Sequence, residues 1–380
     1  MKTQEQVGNG ASTNPGLVCP ACKSSFTAEG ESLRCVGCGK SWPIIRGVPH
    51  FIPPVEYLGE VGITREALIE ITRQMETLNW RDVILNYADP AVRQYSKYIG
   101  NLGRACWQSL VPLNERSVVL DGGAGFGAVS HALSRNCGHV YSLERVEERV
   151  EFLRLRFIQE KCDNITIVRS DLDTLPFSEN SFDLIVLNGV LEWLPFIRKQ
   201  ENPRKAQLHY LRALLRLLKP GGTLYVGIEN RFSYELLLGS PDQHIGVKYV
   251  AVLPRWLADV VCKFKLGDRY RPYLYSWRGY KRLFAEAGFE QLRGYVACPH
   301  YTDPIRVVSL AEDSIHCADS VWRTKNPLSK VAKKIMLELD LLKYFCMGYV
   351  LLARKEDPSK SGHRDLGAAQ SGKPELPSDL

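Results

Sequence analysis

The stretch VVLDGGAGFG, Val118 to Gly127, decides the fold. Its apolar start is typical of a buried strand, and four of its last six residues are glycines. Glycine adopts backbone conformations that other residues avoid and leaves space above the chain, so such a turn lets a ligand approach the backbone closely. The stretch therefore predicts a strand that ends in a ligand-binding turn.

Strands and amphipathic helices alternate from Ser117 onward, and this alternation predicts a parallel sheet with helices on both faces. We predict an α/β fold with a seven-stranded, doubly wound, Rossmann-like sheet, preceded by a zinc ribbon and a helical cap. A helix is expected over RKAQLHYLRALLRLLKPGG, residues 204–222, with Gly221 ending it. The predicted strands are 117–121, 139–144, 164–171, 182–189, 223–230, 290–300 and 346–355.

Two ligands fit the glycine turn. Gly123-x-Gly125-x-x-Ala128, with Glu144 about 20 residues later, is a loose dinucleotide fingerprint. The same turn also carries a carboxylate, Asp121, at the strand end. Because a like charge about 4 Å away costs ~1 to ~4 kcal/mol, this carboxylate suits a cationic ammonium better than a diphosphate. None of the seventeen tyrosines has the Lys four residues on that a short-chain dehydrogenase needs, and a methyl donor is favoured.

In a doubly wound sheet the ligand lies at the carboxyl ends of the strands. Polar residues follow four of the predicted strands: Asp121 after the first, Glu144 after the second, Asp171 after the third and Asn188 after the fourth. We expect these side chains to meet at one edge of the sheet.

Residues 117–355 resemble the class I S-adenosylmethionine-dependent methyltransferases, in particular the methyltransferase type 11-like domain. The motifs that carry the resemblance are VLDGGAGFG, YSLE, SDLDTLPFSENSFDLIVLNGVLEWL and LLRLLKPGGTLYVGIEN. The resemblance implies that the amino-acid part of the donor is held by Asp121, Gly123, Gly125 and Gly127. It further implies that Glu144 binds the ribose hydroxyls, that Asp171 and the Leu172 backbone recognise adenine, and that Asn188 lies near the sulfonium.

An insertion at about 230–275 follows the fifth predicted strand, and its ENR…G-x-P-x-x-H pattern resembles bacterial methyltransferases associated with cell-surface polysaccharides. Transfer to a hydroxyl requires removal of its proton, and His244 is the predicted catalytic base. We expect Asp242 and Asn230 either to orient His244 or to bind the substrate. Trp193 either lines the acceptor pocket or packs its helix.

Four cysteines near the start form two pairs, Cys19-x-x-Cys22 and Cys35-x-x-Cys38, separated by twelve residues. Two such knuckles can present four thiolates to one zinc ion. A segment this short buries too little apolar surface to fold alone, so the metal is expected to stabilise it. Its SWPIIRGVPHFIP tail resembles the small zinc-ribbon family that activates tRNA, rRNA and release-factor methyltransferases.

The chain is therefore divided into a flexible N-terminus (1–16), a zinc ribbon (17–54), a helical cap or linker (55–114), the methyltransferase domain (115–355) and a disordered tail (356–380). The eleven cysteines, mostly scattered, suit reduced thiols. A polar start without a signal peptide, and the lack of a long apolar run, predict a cytoplasmic protein.

We predict a methyltransferase that acts on a hydroxyl of a small molecule or glycan, with S-adenosylmethionine and zinc as cofactors. The net charge of +7 is diffuse, whereas RNA enzymes concentrate their basic residues. An enzyme acting on tRNA or rRNA remains the alternative. A non-catalytic, donor-binding activator subunit is an alternative of another class, and the oligomeric state stays open.

Overall fold

A computed structural model describes residues 16–57, 63–310 and 341–359, with residues 330–331, 334–335 and 338–339. The predicted flexible N-terminus lies outside the described residues except for Gly16, and so does the predicted tail beyond Ser359.

The first described segment is a small antiparallel sheet in the order β1-β2-β3-β4. Its strands are short because tight turns separate them, and Gly30 in the β1–β2 turn has a φ of +60°. Cys35 ends β2, and the other three paired cysteines lie in the flanking turns. The strands are β1 (Phe26–Glu29), β2 (Ser32–Cys35), β3 (Ser41–Ile45) and β4 (Val48–Pro49).

A helical segment follows. Leu68, Ile71 and Met75 recur at the helical period and are buried on one face of its first helix, whereas Leu78 lies beyond that helix and is 54% exposed. Side chains of Thr64, Asn79 and Asp89 accept backbone hydrogen bonds at three helix starts. The elements are α1 (Arg65–Met75), α2 (Trp80–Asn86), α3 (Pro90–Gln94), α4 (Ser96–Gly100) and a 3₁₀ helix (Leu102–Leu110).

The core is a mixed sheet of eight strands in the order β11-β10-β12-β9-β8-β5-β6-β7. The five strands from β7 to β9 are parallel, and β12 pairs antiparallel with both β9 and β10. The strands are β5 (Val118–Gly122), β6 (His139–Glu144), β7 (Ile165–Arg169), β8 (Phe182–Asn188), β9 (Leu218–Glu229), β10 (Gln291–His300), β11 (Asp303–Ser309) and β12 (Gly348–Arg354).

Helices cover both faces of this sheet. Trp107 of the 3₁₀ helix stacks on Tyr225 of β9 with ring centroids 3.6 Å apart, and α5 packs on the same face. The apolar sides of α8 and α11 fill the other face. The helices are α5 (Ala128–Ser134), α6 (Glu147–Gln159), α7 (Leu194–Ile197), α8 (Pro203–Leu217), α9 (Tyr234–Leu237), α10 (Arg255–Leu266), α11 (Trp277–Ala287) and α12 (Leu342–Phe345).

The predicted count of seven strands is wrong, because β11 forms an additional hairpin with β10 through Tyr301 and Thr302. β11 contains Pro304, which cannot donate to a ladder and is tolerated here because β11 is the last strand of the sheet. A proline in so short a run weakens the strand signal, which is why the sequence pattern did not reveal it.

The predicted end of α8 at Gly221 is also wrong. The helix ends at Leu217, and Leu218 is already extended with a ψ of 139°. The cause is Pro220, because a residue before proline is disfavoured in the helical region. Lys219 therefore cannot continue the helix, and Gly221, with a φ of +76°, lies within β9.

The small N-terminal sheet docks on the β7 edge of the large sheet. The Phe51 N–H donates to the Arg169 carbonyl (2.9 Å), and the Arg169 guanidinium donates to the Ile52 carbonyl (2.7 Å). Lys23 Nζ donates to the Leu175 carbonyl at 2.7 Å. These bonds cover the unpaired edge of β7, which would otherwise be open to pairing with another chain.

Candidate functional site

A pocket of about 970 Å³, counting its open mouth, lies at the carboxyl ends of β5, β6 and β8. Six of the eight residues predicted to bind the donor line it together: Gly123, Gly125, Glu144, Asp171, Leu172 and Asn188. Strand ends that are far apart in sequence thus meet at one edge of the sheet, as a doubly wound topology requires.

The glycine turn is fixed on β6 by its own backbone. The N–H groups of Gly123 and Ala124 both donate to the Leu143 carbonyl, at 2.9 and 3.0 Å. Gly123 has a φ of +82°, and a Cβ there would lie 2.8 Å from Val190 Cγ2. A side chain at Gly123 would therefore be strained and would push into the wall of the pocket.

Glu144 is 2% exposed and holds three backbone N–H groups. Its Oε2 accepts from Gly125 (2.9 Å), and its Oε1 accepts from Arg145 and Val146 (2.9 Å each). Each carboxylate oxygen has more than one acceptor position, so Glu144 can fix the turn and still bind hydroxyl groups in the pocket.

Asp121 lies beneath the turn rather than in the pocket lining. Its carboxylate accepts from Ser130 Oγ at 2.6 Å, and Ser130 Oγ accepts in turn from Ser142 Oγ at 2.6 Å. Burial raises the pKa of Asp121 to about 6, against the opposing effect of the Ser130 hydrogen bond. In this arrangement Asp121 supports the turn from below.

Gly127 likewise stands outside the pocket lining. It is the residue before α5 and has a φ of +81°. A Cβ at this position would lie 2.6 Å from Leu153 Cδ2 and 2.8 Å from a ring atom of Phe157. The structure therefore gives Gly127 a packing role, since only glycine lets α5 begin this close to α6.

Asp171 and Leu172 form the wall after β7. Asp171 Oδ1 accepts from the N–H groups of Asp173 and Thr174, both at 3.0 Å. Leu172 is 4% exposed. The side chain of Asp171 thereby holds the loop that presents the Leu172 backbone to the pocket.

Asn188 ends β8, and its amide is unusual. Both amide atoms are buried and lack a hydrogen-bond partner among the residues that the structure describes. A Cβ on Gly227 would lie 2.5 Å from Asn188 Oδ1, so the neighbouring strand makes room for this side chain. Buried amides are normally satisfied, so the donor and the acceptor of this amide are available to a molecule bound in the pocket.

Two lining residues come from the helical segment and were not predicted. Arg104 is 6% exposed, donates to Tyr98 Oη at 3.1 Å and places its guanidinium 3.9 Å from the centre of the Tyr98 ring. Both residues line the pocket. Nothing in their spacing distinguishes them from the other basic and aromatic residues of the helical segment, so the sequence carries no signal for them.

His244 lies in a second cluster, next to three carboxylates. Its Nε2 is 3.7 Å from Glu192 Oε1 and 4.0 Å from Glu229 Oε2, and its Nδ1 is 3.3 Å from Asp242 Oδ1. The predicted partner Asp242 is thus present. Asn230 is not part of this cluster: its amide donates to the carbonyls of Tyr344 and Cys346 and fixes the approach to β12.

The charges in this cluster are strongly coupled. Burial lowers the pKa of His244, but the Asp242 and Glu192 carboxylates outweigh burial and raise it to about 11. Burial, reinforced by Glu229, raises the pKa of Glu192 to about 7. The neighbouring carboxylates therefore favour the protonated form of His244, which opposes a role as proton acceptor. Its role as catalytic base stays a prediction.

Trp193 lies between the donor pocket and the His244 cluster. It lines the donor pocket, and its ring centroid lies 4.9 Å from that of His244. Glu192 and Glu229 were missed by the sequence analysis, although Glu229 ends the fifth parallel strand. Applying the strand-end rule to β9 as well would have found it.

The four paired cysteines converge in the small N-terminal sheet. Their sulfur atoms all lie within 4.8 Å of one another. Cys19 and Cys38 sulfurs are 3.7 Å apart, and those of Cys22 and Cys35 are 3.3 Å apart. Four sulfurs at about 2.3 Å from a tetrahedral zinc are separated by about 3.8 Å, so the arrangement fits this ion.

None of the helices in the described part of the chain has the length and hydropathy needed to span a bilayer.

Residues 120–226 match the family model described as a methyltransferase domain. A ubiquinone biosynthesis O-methyltransferase of Xylella fastidiosa (strain M23) is 29% identical over 199 residues, covering 47% of this chain and 72% of that protein. A demethylmenaquinone methyltransferase of Clavibacter sepedonicus is 34% identical over 108 residues, covering 28% of this chain and 39% of that protein. The first two matched relatives are thus spanned over 39% and 72% of their lengths.

Among solved structures, phosphoethanolamine N-methyltransferase 2 of Haemonchus contortus, in complex with S-adenosyl-L-methionine, is similar with a TM-score of 0.42 and 15% identity. The match covers 74% of this chain and 60% of that chain. The family match covers residues 120–226 of the predicted methyltransferase domain, and together with the named relatives it supports an S-adenosylmethionine-dependent enzyme.

Proposed function

We propose that this protein transfers a methyl group from S-adenosylmethionine to a hydroxyl group of a small molecule. The observation that carries the proposal is the convergence of Glu144, Asp171 and Asn188 on one strand-end pocket, within the segment that matches a methyltransferase domain.

The donor spans the pocket. The ribose hydroxyls hydrogen-bond to Glu144, and the adenine lies against Asp171 and the Leu172 backbone. The amino-acid part lies over the turn of Gly123 and Gly125, and Arg104 pairs with its carboxylate as a charge-assisted hydrogen bond donor. The unsatisfied amide of Asn188 lies beside the sulfonium end, where it orients the donor.

The acceptor enters past Trp193, on the side of the His244 cluster. Two observations favour a small hydroxylated molecule: relatives are named as O-methyltransferases of ubiquinone biosynthesis, and the net charge of +7 is spread along the chain. The reaction is an in-line displacement at the methyl carbon, for which the protein aligns the two reactants and excludes water. A hydroxyl group of a glycan is the other candidate acceptor, since the same displacement would methylate it.

The four paired cysteines hold one zinc ion that stabilises the N-terminal ribbon. Because this ribbon bonds to the β7 edge, the metal contributes to the stability of the whole chain rather than to the chemistry. The scattered cysteines of the sequence are the basis for the proposed cytoplasmic location, because reduced thiols are typical of that compartment.

A transfer assay with methyl-labelled donor tests the proposal. The purified protein is incubated with a cell lysate fractionated into RNA, protein, glycan and small-molecule pools, and an Asn188→Ala variant serves as the inactive control. We expect label in the small-molecule pool. Label confined to RNA, falling steeply with salt, would overturn the acceptor class. Donor binding without label in any pool would support a non-catalytic activator subunit.

A further inference from the structure

The geometry around His244 points to a second metal site. We propose that Glu192, Glu229 and His244 bind a divalent cation at the acceptor side of the donor pocket. The cation site stands on its own geometry, and its role in catalysis rests on the proposed function.

The distances between the ligand atoms of these three residues suit an ion bound between them and are too long for direct hydrogen bonds. One ligand atom from each lies within 4.8 Å of the others. The distances from His244 Nε2 to Glu192 Oε1 (3.7 Å) and to Glu229 Oε2 (4.0 Å) are too long for hydrogen bonds. Neighbouring ligands of an ion bound at about 2.0 to 2.3 Å are separated by roughly 3 to 4 Å, which matches these gaps.

The carboxylates of Glu192 and Glu229 also lack some of the hydrogen bonds that buried carboxylates normally accept. Glu192 is 1% and Glu229 is 7% exposed, and the Oε2 atom of each lacks a hydrogen-bond partner in the described ranges. Two neighbouring carboxylates buried in this way repel one another and lack water to solvate them. The protonated form of His244 places one positive charge beside both carboxylates. A divalent cation that replaced this proton would supply two charges and would also coordinate the unbonded oxygens.

Polar side chains lie next to the proposed ligands, as they do around the ligands of known metal sites. Asp242 lies 3.3 Å from the other ring nitrogen of His244, and Tyr270 Oη donates to the second oxygen of Asp242 at 2.9 Å. Tyr301 Oη donates to Glu229 Oε1 at 2.7 Å, leaving Oε2 for the ion. His244 Nδ1 makes no hydrogen bond to the described residues, so Asp242 acts on the ring through its negative charge, which makes the ligating nitrogen more basic.

Two carboxylates and one imidazole favour hard or borderline ions such as Mg²⁺, Mn²⁺ or Zn²⁺. Three protein ligands leave coordination positions open for water or substrate. The four-thiolate cluster offers only soft sulfur ligands, which suit Mg²⁺ and Mn²⁺ poorly, so Mn²⁺ binding reports on the second site.

The cation would lie close to the donor. A Cβ on Gly189, which lines the donor pocket, would be 3.6 Å from Glu192 Oε1. An acceptor hydroxyl bound to the cation would lose its proton to solvent more readily, because a metal lowers the pKa of bound oxygen. The oxygen then attacks the methyl carbon, the carbon–sulfur bond breaks, and its electron pair stays on the sulfur, giving a neutral thioether.

Mn²⁺ titration followed by electron paramagnetic resonance tests the site, using the full chain with its cysteine cluster loaded with zinc. We expect one Mn²⁺ per chain, and at least tenfold weaker binding in Glu229→Gln and in His244→Gln. Glu235→Gln, which changes a half-buried carboxylate near the cluster but outside it, should bind Mn²⁺ like the wild type.

Wild-type protein that binds no Mn²⁺, or variants that bind it equally well, would overturn the inference. S-adenosylmethionine binding by calorimetry is measured on the same samples. If donor binding persists and Mn²⁺ binding is absent, the cation site alone fails. If Mn²⁺ binds and the donor does not, the proposed function alone fails. Variants that keep donor binding are folded, so their loss of Mn²⁺ reports on the ligands.

Discussion

Glu144 Oε2 accepts a hydrogen bond from the backbone N–H of Gly125 at 2.9 Å, joining the end of β6 to the glycine turn that follows β5. The other oxygen of Glu144 holds the loop that begins α6. One buried carboxylate therefore fixes two of the loops that line the pocket. Such preorganisation reduces the ordering that a ligand must bring about when it binds.

We predict that Gly127→Ala destabilises the protein by about 2 to 4 kcal/mol, because alanine is strained at a positive φ and its Cβ would clash with Leu153 and Phe157. Gly47→Ala is the matched control: Gly47 has a φ of +82°, with nothing within 4 Å of the added Cβ. Its cost should be about 1 to 2 kcal/mol, from backbone strain alone. Urea unfolding measures both, and equal losses would argue against the packing role.

Asp121→Asn should change how stability depends on pH. Burial raises the pKa of Asp121 in the folded protein to about 6, above its unfolded value near 3.9. Ionised Asp121 therefore destabilises the fold, with a cost that appears as pH rises through 4 to 6 and is complete above it. Relative to wild type, the variant should gain about 2 kcal/mol between pH 4.5 and pH 8.

Unfolding of the donor-free protein at several pH values gives this comparison, with the exposed Asp82→Asn as control. A stability difference between Asp121→Asn and wild type that is constant across this range would show that Asp121 is not buried as described.

Cys22→Ser should abolish zinc binding, because three thiolates and a hydroxyl hold the ion far more weakly than four thiolates. Metal analysis of the purified protein should give about one zinc per chain for wild type and for Cys106→Ser, whose thiol lies far from the cluster in sequence. Since the ribbon bonds to β7, we also expect faster hydrogen exchange at the Phe51 N–H in Cys22→Ser. Retention of zinc in Cys22→Ser would contradict the assignment.

Much of this architecture could be predicted from sequence because its signals are local. The alternation of strands and helices, the glycine turn and the polar residue after each parallel strand are each set by a few neighbouring residues. Topology then brings the strand ends together, so Glu144, Asp171 and Asn188 could be placed in one pocket without a structure.

The remainder depends on contacts between distant parts of the chain. Arg104 reaches the pocket from a separate helical segment, and the ribbon reaches β7 through Arg169. Asp121 and Gly127 belong to a recognisable motif, yet whether they face the ligand or the interior depends on Ser130 and on α6. No spacing rule contains that information.

Titration calorimetry of the donor tests the central claim most directly. Wild-type protein should bind one S-adenosylmethionine and should not bind NAD. Glu144→Gln should bind the donor one to two orders of magnitude more weakly, since hydrogen bonds to a charged group contribute roughly 1.5 to 3 kcal/mol each. Glu147→Gln, the same change at a half-exposed carboxylate of α6, should bind it normally. Binding of NAD without binding of S-adenosylmethionine would contradict the account.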